Sequence, residues 1–151
     1  MEVVTAAGAG FLLAVLWFDL MFDVQVRRDP VEPAAVRSIA GYYRRVTTDA
    51  RPMNRLVALA MLVTLGSIVV QLVAAGAGDT SWWSAAALPF AVGPIVLAGV
   101  RTVPSAVRLG QATGSGPAEL ALARRILADH LLCFAGIAVV VVVQIVLAAT
   151  A

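Results

Sequence analysis

Four long apolar runs dominate this sequence, and they limit the chain to folds that a lipid bilayer can stabilise. The runs cover residues 3–24, 56–77, 82–100 and 126–149. Each has about 20 mostly apolar residues, the length that an α-helix needs to cross the hydrocarbon core. Only 13% of the residues are charged, whereas soluble proteins average about 25%. The sequence therefore predicts an all-α protein, a four-helix transmembrane bundle that forms a single integral membrane domain over residues 1–151.

All eleven basic residues are arginines, and they occupy only two of the connections between the runs. One group lies between Arg27 and Arg55, and the other lies between Arg101 and Arg125. Because basic residues concentrate in cytoplasmic loops, we expect both connections to face the cytoplasm and both termini to lie outside. This topology accounts for the net charge of +2 without nucleic-acid binding. The expected location is the cell membrane, in a multi-pass arrangement with the lipid bilayer as partner.

The first arginine-rich connection is long enough to contain a helix of its own. Val36, Ile39, Tyr43 and Val46 recur at helical spacing, and the arginines between them fall largely on another side. A two-sided helix of this kind is typical of segments that lie in the membrane interface. We therefore predict a short amphipathic interfacial helix in the first cytoplasmic loop.

Prolines and glutamines interrupt the apolar runs. Pro89 and Pro94 each remove an intrahelical hydrogen bond, so the third helix is expected to be kinked. A kink that serves packing and a bend that lines a cavity both remain open. Gln71 and Gln144 lie deep in the second and fourth runs, where we expect them to form hydrogen bonds between helices.

Four ionisable residues lie at similar depth near the cytoplasmic ends of the first and fourth runs. The stretch WFDLMFDVQVRR places Asp19 and Asp23 one helical turn apart on one face, and Asp129 and His130 lie about one turn inside the fourth run. Ionisable groups within a membrane span are costly and usually face the bundle interior. The four groups therefore converge if the first and fourth helices are neighbours, with Asp19 close to His130.

Three interpretations of these ionisable residues stay open. Asp23 and Arg27 form an i, i+4 pair, which is typical of a solvated rim at the membrane boundary. A buried structural hydrogen-bond network is the second interpretation, and a functional site is the third. Asp19 and His130 are the deepest of the group, and they favour the functional interpretation most.

As a functional site, the cluster offers Asp19, Asp23 and His130 as candidate catalytic residues. The same three and Asp129 are candidate ligands of a single divalent metal ion, because several carboxylates and one imidazole suit such a site. Without a metal, these groups can pass protons. Their spacing matches no known zinc or di-iron signature, and a single histidine excludes a bis-histidine haem within one chain. The sequence identifies no other cofactor.

Three segments of the chain resemble one known family. They are AGAGFLLAVLWFDLMFDVQV near the start, the arginine-rich first loop with its tyrosines, and RRILADHLLCFAGIAVV at the opening of the last run. They resemble the anthrone-oxygenase-like family, small four-helix membrane proteins largely of unknown function. That family's last span often opens with Asn-His-x-Arg; here Asp129 and His130 are followed by two leucines, so the histidine is kept and the arginine is absent. The resemblance implies oxidation of polycyclic phenolic substrates, for a few family members only.

Two main classes of function follow. The first is a membrane-embedded oxygenase or oxidoreductase that acts on a lipophilic small molecule at the cytoplasmic interface through Asp19, Asp23 and His130. The second is a non-catalytic accessory subunit or assembly factor of a larger membrane complex, favoured by the near absence of extramembrane segments. A transporter formed by self-association into a homodimer is a third class.

Overall fold

The computed structural model describes residues 1–49, 51–76 and 81–150, and these ranges contain no β-strand. Ala77, the end of the second predicted run, lies outside them. The helices are α1 (Glu2–Asp23), α2 (Pro33–Arg44), α3 (Arg51–Ala75), α4 (Ser81–Leu97), α5 (Val103–Gln111) and α6 (Pro117–Thr150). A 3₁₀ turn covers Val24–Val26, and π-helical turns cover Arg45–Asp49 and Ala98–Thr102.

Four helical stretches are long and apolar enough to cross a membrane, which confirms the number predicted from the hydrophobic runs. They are Glu2–Val26, Pro52–Ala75, Trp82–Gln111 and Pro117–Thr150. The last two are longer than the apolar runs within them. With 34 residues, α6 is about 50 Å long at 1.5 Å per residue, longer than a hydrocarbon core of about 30 Å. Its first turns, from Pro117, precede the apolar run 126–149.

The four long helices pack side by side in a closed order. α1 contacts α3 and α6, and α4 contacts the same two helices from the other side. Glycines allow two of these approaches. A Cβ at Gly8 of α1 would lie 2.5 Å from Thr64 Oγ1 of α3, and one at Gly136 of α6 would lie 2.7 Å from Pro94 Cγ of α4. A larger side chain at Gly136 would push α6 away from α4, and one at Gly8 would force the Thr64 hydroxyl to move.

The two shorter helices form a layer across the arginine-rich end, the end of the bundle where the two connections with all eleven arginines lie. α2 packs mainly on α5 and also contacts α1 and α6. Gly110 of α5 permits the close crossing, because a Cβ there would lie 2.8 Å from the backbone nitrogen of Arg44. The Arg44 Nε donates to the Gly110 carbonyl at 2.9 Å, which ties the two helices together.

The predicted amphipathic helix exists, but its apolar face contacts protein. Val36, Ile39 and Tyr43 are each no more than 2% exposed, in one core cluster with Leu109 and Ile126. The sequence prediction placed this face in the membrane interface because its spacing shows amphipathicity and not what covers it. In the structure, α5 and the first turns of α6 supply the apolar partner.

The third apolar run is not one regular helix. Both Pro89 and Pro94 lie inside α4, and the π-helical turn Ala98–Thr102 separates α4 from α5. Single π-helical turns are rare and frequently lie at functional sites. This turn carries Arg101 and Thr102, whose partners are described below. The interruption thus places two polar side chains at the arginine-rich end.

Candidate functional site

A cavity of about 380 Å³ lies between the long helices and α2, at the arginine-rich end. Its walls are mostly apolar, with Leu12 and Phe18 from α1, Met61 from α3 and Ile95 from α4 among them. The volume falls within the range of small-molecule sites, about 300–1,000 Å³. Packing and cavity lining were both open as roles of the proline-bearing helix, and Pro94 serves both: it lines the cavity and lies against Gly136 of α6.

One side of the cavity carries a connected group of polar side chains. We call it the Asp–His cluster, and its members are Asp19, Asp23, Tyr42, Tyr43 and His130. The two acids come from α1, the tyrosines from α2 and the histidine from α6. The predicted approach of Asp19 and His130 is confirmed, since Asp19 Oδ2 lies 3.9 Å from His130 Nε2. The cause is the packing of α1 against α6.

Asp23 binds His130 through Nδ1, one of the two ring nitrogens. Its side chain is 0% exposed, Oδ2 lies 2.7 Å from His130 Nδ1, and Oδ1 accepts a hydrogen bond from the Tyr43 hydroxyl at 2.7 Å. An ionised carboxylate only accepts hydrogen bonds, so we assign the Nδ1 proton to the imidazole, which donates it to Asp23. In the neutral histidine, Nε2 is then an acceptor.

The second acid faces the cavity more openly. Asp19 Oδ1 accepts a hydrogen bond from the Tyr42 hydroxyl at 2.6 Å. Its Oδ2 lies 3.9 Å from His130 Nε2, which is too long for a hydrogen bond. Both Asp19 and His130 line the cavity. Two acceptor atoms therefore lie side by side at the cavity wall with space between them.

The two tyrosines hold their protons firmly. Burial, and after it the negative charge of Asp19, raises the pKa of the Tyr42 phenol well above its ordinary value of about 10. Burial and the charge of Asp23 raise the pKa of the Tyr43 phenol in the same direction. Both hydroxyls are consequently hydrogen-bond donors throughout the physiological pH range. Each donates to one carboxylate of the cluster.

Sequence reasoning missed these tyrosines as partners of the acids. It assigned them to an interfacial helix, whereas the ring of Tyr42 stacks on Phe22 with centroids 4.1 Å apart. Tyr43 is 2% exposed. The sequence did contain an indication of this partnership. Tyr43 belongs to the apolar face of α2, and a buried phenol usually has a hydrogen-bond partner. The nearest such acceptors are the acids that end the first apolar run.

Asp129 belongs to a separate network. Its side chain is fully buried and accepts two hydrogen bonds from the Arg101 guanidinium, one of them from Nε at 2.9 Å. The Thr102 hydroxyl donates to it at 3.2 Å. Neighbouring residues on an α-helix point about 100° apart. Asp129 therefore faces the π-helical turn Ala98–Thr102, while His130 faces α1.

The metal site predicted from four ligands is not assembled. Among residues 1–49, 51–76 and 81–150, no three His, Cys, Asp or Glu side chains form a group that could hold a metal ion. Asp129 is paired with Arg101, and Asp23 uses its two oxygens on Tyr43 and His130. Equal depth along two helices predicted convergence, but the rotation of α6 separates Asp129 from the others.

The solvated-rim interpretation fails for Asp23. Its side chain is fully buried and bonds to Tyr43 and His130, whereas Arg27 is exposed. An i, i+4 spacing brings an acid and an arginine near each other only if both point to the same surface. Here the 3₁₀ turn after Asp23 takes the chain out of the α-helical repeat before Arg27.

A second polar region lies toward the opposite end of the long helices. We call it the glutamine network; its members are Thr5, Ser67, Gln71, Ser84 and Gln144. As predicted, the two glutamines bond between helices, with Gln71 Nε2 donating to Gln144 Oε1 at 2.9 Å. The same nitrogen donates to Thr5 Oγ1 at 2.7 Å. This network contains only neutral groups, and none of its members lines the cavity.

No family model matches this chain, and no curated protein or solved structure matches it either.

Proposed function

We propose that this chain is a membrane-embedded enzyme that binds a lipophilic small molecule in the cavity and exchanges a proton with it through His130. One observation carries the proposal. The fully buried Asp23 fixes Nδ1 of His130, while the imidazole lines the cavity. A general base needs a proton-accepting atom held in a fixed orientation toward the reacting proton, and a histidine whose Nδ1 is bound by a carboxylate presents Nε2 in that way.

Each member of the Asp–His cluster has a role in this proposal. His130 Nε2 accepts the proton, and Asp23 stabilises the imidazolium that results. Tyr43 keeps the Asp23 carboxylate in place by donating to its other oxygen. Asp19 lies 3.9 Å from Nε2 and contacts the polar part of the bound molecule, with Tyr42 fixing its orientation.

The proposed setting is the cytoplasmic boundary of the cell membrane, with both termini outside. The support is the confinement of all eleven arginines to one end of the long helices, the end that contains the cavity. The topology is tested in intact cells with two single-cysteine variants, Thr113→Cys and Thr150→Cys, each in a Cys133→Ala background. We expect an impermeant reagent to label Thr150→Cys and not Thr113→Cys. Labelling of both positions from outside contradicts the topology.

The proposed reaction class is oxidation of the lipophilic molecule, as the resemblance to the anthrone-oxygenase-like family implies. Removal of a proton from an O–H, N–H or acidic C–H group raises the electron density of a substrate and makes it easier to oxidise. The residues named here supply that proton transfer. In an oxygenase the oxidant is dioxygen: it takes up the substrate's electrons, one oxygen atom enters the product, and the other leaves as water with the two hydrogens lost by the substrate.

Membranes that contain the protein, assayed with a panel of lipophilic phenols and amines, test the enzyme proposal. We expect substrate-dependent oxygen uptake and an oxidised product by mass spectrometry. His130→Ala should lower the rate by about a hundredfold or more, the usual contribution of a general base. Ser84→Ala, in the glutamine network, is the matched control and should retain the rate.

The competing function is a non-catalytic subunit of a larger membrane complex. It is favoured by the small share of the chain outside the four long stretches. Absence of turnover with every panel member, together with co-purification of a stoichiometric membrane partner that His130→Ala leaves bound, supports the subunit and rejects the enzyme.

A further inference from the structure

The charges around the cavity are unbalanced. Asp19 and His130 are its ionisable lining residues besides the tyrosines and Cys133, and Asp23 lies directly behind His130. When both carboxyl groups are ionised, they outweigh the one imidazole whether or not that imidazole is protonated. Within the described part of the chain, no arginine lines the cavity, although the same end of the molecule carries all eleven.

Four arginines adjoin lining residues in sequence; Arg44, Arg45 and Arg55 are exposed, and Arg101 is already paired. Arg101 precedes Thr102, which lines the cavity, but the guanidinium of Arg101 is bound by the buried carboxylate of Asp129. The positive charge that would balance Asp19 is therefore not supplied from the π-helical turn after α4. Because charges in apolar surroundings are stable only when paired, the cavity favours a ligand that brings a cation.

Aromatic rings surround the same carboxylate. Phe18, Phe22 and Tyr42 line the cavity, and the stacked pair of Phe22 and Tyr42 lies beside Asp19. A cation is attracted to ring faces, and the attraction increases when water is excluded. The tyrosine hydroxyls already donate to the other oxygen of each acid. Asp19 Oδ2 and, in the neutral imidazole, His130 Nε2 can therefore accept hydrogen bonds from a ligand.

We propose that the cavity selects a lipophilic cation, an amine or ammonium head held by Asp19 among the aromatic rings with an apolar body along α1, α3 and α4. A protonated amine donates N–H groups to Asp19 Oδ2 and to the neighbouring Nε2. An anionic lipophile meets Asp19 without an arginine to offset it. A neutral alcohol gains a hydrogen bond but leaves the excess negative charge unpaired. This inference rests on the proposed function, because it takes the same cavity as the binding site.

Four probes on one aromatic skeleton test the inference: naphthylmethylamine, its trimethylammonium derivative, naphthylmethanol and naphthoate. The protein is held in phosphatidylglycerol nanodiscs, so that no lipid ammonium group competes, and binding is measured by equilibrium dialysis against empty nanodiscs. We expect both cations to bind about tenfold more tightly than the alcohol, the scale of a desolvated cation–π and charge contact. Naphthoate should bind most weakly.

Asp19→Asn is the decisive variant, because the amide keeps an acceptor for Tyr42 and removes the charge. We expect it to bind the alcohol as the parent does, which shows an intact cavity, and to lose the preference for cations. Glu32→Gln is the matched control, since it removes one exposed carboxylate at the same end of the molecule. It should keep the preference, which separates binding in the cavity from attraction to the surface.

Equal binding of the alcohol and the cations to the parent overturns the cation selectivity and leaves the proposed proton-transfer role of His130 standing. Failure of all four probes to bind overturns both proposals, because the cavity is then not a ligand site. A preference for cations that survives Asp19→Asn also rejects the inference.

Discussion

The Asp–His cluster and the glutamine network are both buried and both join helices that are distant in sequence, yet they differ in charge and in surroundings. The glutamine network links α1, α3, α4 and α6 through neutral amides and hydroxyls. The Asp–His cluster concentrates two acids and a histidine beside a cavity. Neutral networks suffice to hold helices together, so the ionisable one requires another reason.

Magnitudes support this distinction. Interhelical hydrogen bonds between neutral side chains in a membrane contribute about 0.6 kcal/mol each on average. An ionisable group within a membrane segment costs about 2.5–3.5 kcal/mol on insertion scales. A protein that needs only packing is stabilised more by amides than by acids. The presence of Asp19, Asp23 and His130 at the cavity therefore favours a chemical role.

The largest expected effect of a single substitution is that of His130→Ala. Removing the imidazole leaves the fully buried Asp23 with Tyr43 as its remaining donor. The free energy of unfolding should fall by about 1–3 kcal/mol, the usual penalty for a buried polar group that loses its partner. Thermal and denaturant unfolding in detergent measure the change.

Asp19→Asn should lower the unfolding free energy less than His130→Ala does, because the amide oxygen still accepts the hydrogen bond from Tyr42. Melting of His130→Ala at the parent temperature would show that the cluster is solvated, and the proposed site would fall with it.

The long helices and the approach of Asp19 to His130 could be predicted because both follow from the cost of placing polar groups in lipid. Hydropathy fixes which segments are long enough, and the same cost turns ionisable side chains inward. The position of Asp129 could not be predicted in this way. It is adjacent to His130 in sequence, and only the rotation of α6, set by packing against α1 and α4, directs the two side chains to different helices.

The docking of α2 was also beyond the sequence pattern. Periodicity identifies an apolar face containing Val36, Ile39 and Tyr43, but an interfacial helix and a helix packed on protein show the same periodicity. What decides between them is the apolar surface offered by α5, whose Ala106 and Leu109 join the same core. That surface exists because the third run continues as helix to Gln111, beyond the limit of its apolar residues.

A pH dependence should distinguish the two polar regions, because only one contains titratable groups. Burial and the charge of Asp23 raise the pKa of Tyr43 in the folded protein above its unfolded value of about 10. The folded state then holds a proton that the unfolded state releases, so the stability from this group is present below about pH 10 and is lost as the pH rises further. At about pH 11 the loss approaches 1.4 kcal/mol.

Tyr43→Phe tests this assignment through the slope of stability against pH. Its unfolding free energy should fall less between about pH 8 and pH 11 than that of the parent, by roughly 1 kcal/mol. Tyr42→Phe should reduce the fall less, because Tyr42 is only partly buried. Denaturant titrations at both pH values supply the measurement. Parallel slopes for Tyr43→Phe and the parent would contradict the burial of this phenol.

Gln71→Met should affect stability without affecting the cavity. Gln71 Nε2 donates to both Thr5 and Gln144, and Gln71 Oε1 accepts a longer hydrogen bond, 3.4 Å, from the Ser84 hydroxyl. The substitution removes these three interhelical hydrogen bonds and keeps a side chain of similar shape. A loss of about 1 kcal/mol follows from their usual strength. Probe binding, oxygen uptake and the pH slope should remain those of the parent. A change in any of these three would show that the two regions are coupled.

Gln144→Met should have a smaller effect on stability than Gln71→Met, and it tests whether every polar group in the glutamine network contributes to stability. Gln144 Oε1 accepts from Gln71, but its Nε2 is the one buried side-chain nitrogen or oxygen without a hydrogen-bond partner in the described part of the chain. Methionine removes one favourable bond together with one unpaired donor, whose burial costs about 1–3 kcal/mol. Gln71 keeps its bond to Thr5. The second N–H of Gln71 loses its acceptor, which offsets the removal of the unpaired Gln144 donor, so the unfolding free energy should stay within about 0.5 kcal/mol of the parent value. A loss as large as that of Gln71→Met would mean that Gln144 Nε2 has a partner, and the network would then have to be assigned with the Gln144 amide reversed.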